Sequence, residues 1–267
     1  VDRSGCADAS AACSGARCLA SFGLGALTLV IMAGFFGRGL GVLHLGVSTH
    51  LTLASASPAR LATLRAAGIE PTVRVSSVDE PAVLERTGVT DPEDVALLLA
   101  KAKAEDVASV VEREYFASED SELELGLVLG CDSVLDLDGV ALGKPADAAD
   151  AVQRWKDMRG RSGRLCTGHW LVDLRDPEEG GTGGTLGAVS VTTVHFAKIT
   201  DAEIEAYVAS GEPLAVAGAF TVDGLGGAFV TGIEGDFHGV VGVSLPVLRE
   251  LVKELGVDWP SLWAPRE

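Results

Sequence analysis

The sequence predicts an α/β domain with a mixed, twisted sheet flanked by helices, and three observations carry that expectation. Strand-like and helix-like segments alternate along the chain from Leu51 onward. Leu125 to Gly130 reads LGLVLG, a continuous apolar run of the kind that forms a buried central strand. Asp138-Gly139 separates the strand-like segments Val134 to Asp136 and Val140 to Leu142, a standard hairpin signal.

The elements follow in order. Leu51 to Ala54 is a strand that runs into Ser55-Ala56-Ser57-Pro58, and a helix opens at Pro58 or Ala59. Proline suits a first turn because its missing N–H would be unpaired there. Gly68 stops that helix, and Thr72 to Val75 is a second strand. Thr90-Asp91-Pro92-Glu93 has the spacing of a capping box. Val95, Ala96, Leu98, Leu99, Ala102 and Val107 form the apolar stripe of the helix it opens. The acidic stretch Glu112 to Glu124 reads as a solvated connection before the central strand. Ala146 to Met158 is helical. Leu165 to Leu174 and Val189 to Phe196 pair across the Gly-rich loop Glu178 to Gly187. Thr200 to Glu203 is another capping box, and the last helix runs from Pro246 to Leu255.

Composition bounds the function. With 267 residues, 47% hydrophobic and 22% charged, the chain can bury a core. Its net charge of −17 repels nucleic-acid backbones and anionic lipid, so a nucleic-acid polymer or a membrane surface is disfavoured as partner. A small phosphorylated substrate is still allowed, with a divalent metal to join carboxylates to phosphates. Cys6, Cys13, Cys18, Cys131 and Cys166 are odd in number and fit no zinc spacing, which reads as reduced thiols in a cytoplasmic protein.

Residues 1–48 differ from the rest. Cys18 to Gly37 has no charged residue and is flanked by Arg17 and Arg38, and at ~20 residues such a run is long enough to span a bilayer. A dispensable or mis-started extension is favoured, with a membrane anchor second and a secretory signal third. The chain opens on Val1 rather than Met. The remaining residues, 49–267, form a single domain.

Four segments put polar residues where elements turn, the place where open α/β sheets gather their ligands. Ser55 to Arg60 offers hydroxyls, backbone N–H groups at a helix start and a guanidinium, which together make an anion seat; helix capping by Ser57 is the plainer reading. Asp79-Glu80 pairs two carboxylates in a loop, a solvated acidic turn unless something binds them. Asp132 ends the apolar run, and a carboxylate there is costly without a cation or donor, so it is the best single candidate for metal ligand or general base. Lys144, held between Gly143 and Pro145, is a cation with little freedom, or else part of a surface turn.

Taken together, these segments resemble the Maf family of nucleoside triphosphate pyrophosphatases over roughly Leu51 to Gly256. LASASPAR is similar to the family's S-x-S-P-R-R loop, and VDE at Val78 to Glu80 to its acidic loop. LAKAKA at Leu99 to Ala104 is similar to its K-A helix, and LGCDSV and LGKP to its G-A-D-T and K-P signatures. GEPLAVAGAFTVDGLGG, from Gly211 to Gly227, resembles the G-E-P…A-G-A-Y-x-I-Q-G segment, with Tyr207 in place, and GVVGVSLP resembles N-V-x-G-L-P. The resemblance implies a Maf/ITPase-like fold, a homodimer, and hydrolysis between the α- and β-phosphates assisted by magnesium or manganese. It implies Ser55, Arg60, Lys103 and Lys144 as phosphate contacts. It implies Glu80 as a metal-holding residue and Asp132 as metal ligand and positioner or base of the attacking water. Lys103 enters through the resemblance alone.

The departures bear on base preference more than on reaction. Ala59 stands where the family has the first of two arginines, and Ser244 lies inside the usual G-L-P. Gly163 replaces a frequent His. Asp223 replaces Gln in the I-Q-G triplet and so becomes a substrate-contact candidate that can only accept hydrogen bonds. Two other classes compete: a nucleotide-binding regulator of cell division without turnover, and a membrane-tethered protein. A dinucleotide oxidoreductase is not supported, since no G-x-G-x-x-G follows the first strand.

Overall fold

In the computed structural model, which describes residues 48–118 and 124–265, seven strands form one mixed sheet. The extension's apolar run and Cys6, Cys13 and Cys18 lie outside the described residues. The strands are β1 (Leu51–Leu53), β2 (Thr72–Val73), β3 (Leu127–Leu137), β4 (Val140–Leu142), β5 (Ser162–Asp173), β6 (Thr185–Phe196) and β7 (Val230–Glu234). They lie in the order β2-β1-β3-β5-β6-β7, with β4 also paired to β3. β1 runs parallel to β2 and β3, and the other pairings are antiparallel. The helices are α1 (Pro58–Ala66), α2 (Glu80–Thr87), α3 (Pro92–Ala117), α4 (Ala148–Met158), α5 (Asp201–Ala209), α6 (Phe237–Val241) and α7 (Leu245–Glu254). Among the described residues no helix is long and apolar enough to cross a membrane.

The predicted mixed sheet is present, and so is the Asp-Gly hairpin, whose Asp138 and Gly139 take φ of 57° and 83°. Both central positions of a tight hairpin turn call for positive φ. The Thr200 capping box is complete in both directions. Four readings are corrected. Asp91, not Thr90, caps α3, because the Asp91 carboxylate reaches the N–H groups of Glu93 and Asp94 while Glu93 turns to Arg164. α3 continues to Ala117, so the first half of the expected acidic connection is helix. Glu80 is the first residue of α2 rather than part of a loop, because the Asp79 side chain caps that helix by accepting from Ala82 N–H. Asp132 does not end its strand, since β3 runs on to Leu137.

Side-chain alternation on β3 divides the core. Leu127 and Leu129 face a cluster with Leu51, Leu53, Leu64 of α1 and Leu248 and Val252 of α7. Val128 faces the opposite layer with Ala104 and Val107 of α3. A further cluster, around buried Trp155 of α4, packs Phe196, Ile204 and Tyr207. Burial of both faces is why the central strand reads as a continuous apolar run. Two glycines set how closely α3 lies on the sheet. A Cβ at Gly130 would stand 2.2 Å from the Ala100 carbonyl oxygen, and one at Gly168 would stand 2.3 Å from that of Ala96. Only glycine permits this approach.

Candidate active site

The edge of β3 that faces β1 and β4 is paired at both ends and open between them. Along β3, pairing with β1 stops where Leu53 meets Leu129, and pairing with β4 starts where Leu142 meets Leu135. Asp132 lies in that gap, on a strand that stays paired antiparallel with β5 on its other side. An interrupted edge at the centre of a sheet frees side chains and backbone groups for a ligand.

Close packing of α3 on Gly130 brings Lys103 to the same place. Its ammonium stands 2.5 Å from Asp132 Oδ1 and 2.7 Å from Glu80 Oε1. The Lys103 and Asp132 side chains are 13% and 11% exposed, so this pair is largely shielded from water, whereas Glu80 at 37% opens toward the solvent. Burial pushes the Asp132 carboxyl above the usual carboxylate range, against the opposing charges of Lys103 and Arg60. A carboxylate with a raised proton affinity is a better proton acceptor than one held low.

The Ser55 loop is organised by Arg60. The guanidinium donates through Nε to Gly242 O at 2.8 Å, through one terminal nitrogen to Cys131 O at 2.8 Å and Ser55 Oγ at 3.0 Å, and through the other to Ser133 Oγ at 3.2 Å. Four of its five N–H groups therefore serve the protein, which leaves one for a phosphate oxygen. Ser55 is buried and its oxygen also accepts from Ser57 N–H at 3.2 Å, so its own hydroxyl proton stays available to donate. Ser57 caps α1 as the plainer reading expected.

These residues line a cleft of about 1130 Å³ that also takes in Lys144 and Asp223. Among the described residues the Lys144 ammonium has no partner, and the side chain is exposed. Its loop is fixed through backbone: Arg154 of α4 donates to Gly143 O at 2.6 Å, and Gly218 N–H donates to the same oxygen at 3.1 Å. Asp223 is exposed on the cleft wall and likewise has no partner among the described residues. All seven residues singled out from the sequence thus meet at one cleft, although Arg60 faces protein more than open space.

Two residues near the site went unremarked in the sequence. Glu212 anchors the wall that carries Asp223, and the G-E-P triplet was its only signal. His169, on β5 directly opposite Cys131 of β3, is buried and its Nε2 accepts Ser244 N–H at 2.8 Å. Cys131 and Cys166 are free thiols pushed up to about 11 by burial, and so inert.

A divalent cation such as magnesium takes oxygen ligands. Among the described residues no three His, Cys, Asp or Glu side chains stand together as a cage. Glu80 and Asp132 nonetheless converge on one positive charge, and two carboxylates completed by substrate phosphates are the usual protein share of a magnesium site. The residues fit such an ion.

A family model described as Maf-like protein matches residues 50–255. The chain is 52% identical over 217 residues to a Streptomyces coelicolor protein named nucleoside triphosphate pyrophosphatase, covering 81% of this chain and 96% of that one. A Leifsonia xyli protein of the same name is 50% identical, with 80% and 96% covered. One from Mycobacterium marinum is 46% identical over 224 residues, with 81% and 97% covered.

Proposed function

The chain belongs to the Maf-like family and is a nucleoside triphosphate pyrophosphatase, and on that premise we propose how its cleft releases a nucleoside monophosphate and pyrophosphate. The observation that carries the reading is the Glu80–Lys103–Asp132 cluster in the gap between β1 and β4. A shielded carboxylate with a raised proton affinity is suited to orient and deprotonate a water for in-line attack on the α-phosphorus. Lys103 then turns from carboxylate to phosphate, where its charge opposes the negative charge that the reaction concentrates. Ser55 donates to a phosphate oxygen from the loop that Arg60 holds, and Arg60 offers its remaining N–H. Lys144, whose ammonium has no partner among the described residues, stabilises the departing pyrophosphate.

Glu80 and Asp132 would hold magnesium or manganese, which when bound supplies Lewis-acid neutralisation of the phosphate oxygens. We infer a cytoplasmic enzyme from its cysteines, read as reduced thiols, and a homodimer from the family resemblance, with clearance of non-standard or surplus nucleotides as its role. The regulator alternative differs in one respect: it binds nucleotide and leaves it intact. The experiment is a screen of canonical and modified nucleoside triphosphates with Mg²⁺ or Mn²⁺, analysed for monophosphate and pyrophosphate. Binding of nucleotide with neither product released would overturn the enzymatic reading.

A further inference from the structure

The Gly211–Gly227 segment has little regular structure, only short 3-10 turns at Glu212–Ala215, Ala217–Ala219 and Leu225–Phe229. It nevertheless supplies Val216, Phe220, Thr221, Val222 and Asp223 to the cleft lining. Backbone outside a helix or sheet ladder must satisfy its polar groups by other means. Here the Glu212 carboxylate does so. Oε1 accepts from the Tyr207 hydroxyl at 3.0 Å, from Gly226 N–H at 3.0 Å, and from the Thr221 hydroxyl. Oε2 accepts from Leu225 N–H at 3.0 Å. The Tyr207 oxygen in turn accepts Thr221 N–H at 3.2 Å.

Asp223 thus sits in a span gripped on both sides by one carboxylate, at Thr221 before it and at Leu225 and Gly226 after it. Every neighbour of Glu212 in this network is a donor, and only an ionised carboxylate is acceptor at all its positions. Burial pushes the carboxyl up, but the bonds from Thr221, Leu225, Gly226 and Tyr207 outweigh it and hold Glu212 below the usual carboxylate range. Glu212 itself does not line the cleft.

The cleft has two chemically distinct parts. Ser55, Lys103, Asp132 and Lys144 are charged or donating, which suits phosphates. Val216, Phe220 and Val222 with the Asp223 carboxylate, which has no partner among the described residues, make an apolar wall with one acceptor, which suits a heterocyclic base carrying N–H groups.

We propose that Glu212 is the positioning residue for the nucleoside: it fixes the Thr221–Gly226 span so that Val222 and Asp223 meet the base, and thereby sets which base is accepted. This rests on the pyrophosphatase reading above and deepens it. The residue acts through the wall and touches neither phosphate nor reacting atoms.

The test is Glu212→Gln, which keeps the shape but turns an NH₂ group toward donors. KM and kcat are measured for several nucleoside triphosphates, beside the inhibition constant of inorganic tripolyphosphate, which has the phosphates and no base. The expected result is a KM raised about tenfold or more for the preferred nucleotide, kcat within about threefold, and a flattened preference order. Tripolyphosphate inhibition stays within about twofold. Equal weakening of nucleotides and tripolyphosphate, or an unchanged preference order, overturns the proposal. Should the Gln variant melt below the assay temperature, Thr221→Val removes one donor and leaves the other three. It is expected to shift preference in the same direction by less, and no shift overturns the proposal. If the parent releases no pyrophosphate from any nucleotide, the enzymatic reading fails; calorimetric affinities for nucleotide and tripolyphosphate still decide the role of Glu212.

Discussion

Lys103 joins the carboxylates of Asp132 and Glu80 through one ammonium, 2.5 Å from the first and 2.7 Å from the second. Neither carboxylate touches it through sequence proximity: one lies on β3 and the other opens α2. The ammonium keeps two negative charges together in a site where Asp132 alone would be costly.

Asp132→Asn is expected to lower turnover by ~10²–10⁴-fold, the range for a positioned acid–base group. The fold should survive, since Asn keeps the shape of the side chain and Lys103 keeps its contact with Glu80. Steady-state kinetics and thermal melts on the same preparation check both parts. Turnover within a few-fold of the parent removes Asp132 from the mechanism.

Lys144→Ala is expected to reduce kcat by at least about tenfold at saturating substrate, because its charge acts in the transition state. The melting temperature should hold, since the ammonium has no protein partner among the described residues. A raised KM with unchanged kcat makes Lys144 a ground-state binder instead.

Asp223→Gln is expected to broaden base acceptance. The parent carboxylate accepts only and should favour bases that present N–H groups, such as guanine and uracil, whereas Gln both donates and accepts. Ratios of kcat/KM across nucleotides check this. An identical order in the variant excludes Asp223 from base reading.

His169 supplies a pH dependence of stability. Burial, joined by the Arg60 charge, pushes it from 6.5 down to about 4, and its Nε2 must stay unprotonated to accept from Ser244. As pH falls the unfolded chain takes the proton first, so this contribution is whole above about 6.5 and is lost toward about 4. His169→Gln, whose carbonyl can take the same N–H, should show a shallower fall of melting temperature over that window. Equal slopes would assign the acid sensitivity to other groups.

A truncated chain that begins at Ser48 is expected to fold and keep full activity. Thr49 N–H donates to Ser261 O at 2.8 Å, and the two hydroxyls meet at 3.2 Å, so the cut must spare Thr49. Loss of solubility or activity on truncation would make residues 1–47 part of the working protein.

Local chemistry made much of this molecule legible. The strand-loop-helix at Leu51 to Ala66, the Asp-Gly hairpin and the Thr200 capping box depend on nearest neighbours, and they stand where the residues put them. The cap of α3 misled because Thr90 and Asp91 are both good caps, and the Arg164 partner that drew Glu93 away is distant in sequence. The true length of β3 was hidden because Cys131, Asp132 and Ser133 look like the end of an apolar run. Ten register pairs with β5 carry the strand through them.

By itself the sequence determined which groups were present and in what order: Ser55, Arg60, Glu80, Lys103, Asp132, Lys144 and Asp223, each in a short recognisable setting. Tertiary structure alone decided their partners. Lys103 reads as an ordinary helix lysine until Gly130 lets α3 approach β3 closely enough for its ammonium to reach Asp132. Arg60 reads from the sequence as a guanidinium with all its donors free, whereas its fork already serves Ser55, Cys131, Ser133 and Gly242 and keeps one N–H to offer. The reason is physical. Caps, turns and periodicity are set within a few residues, whereas ion pairs and bridging hydrogen bonds are set by which surfaces pack together.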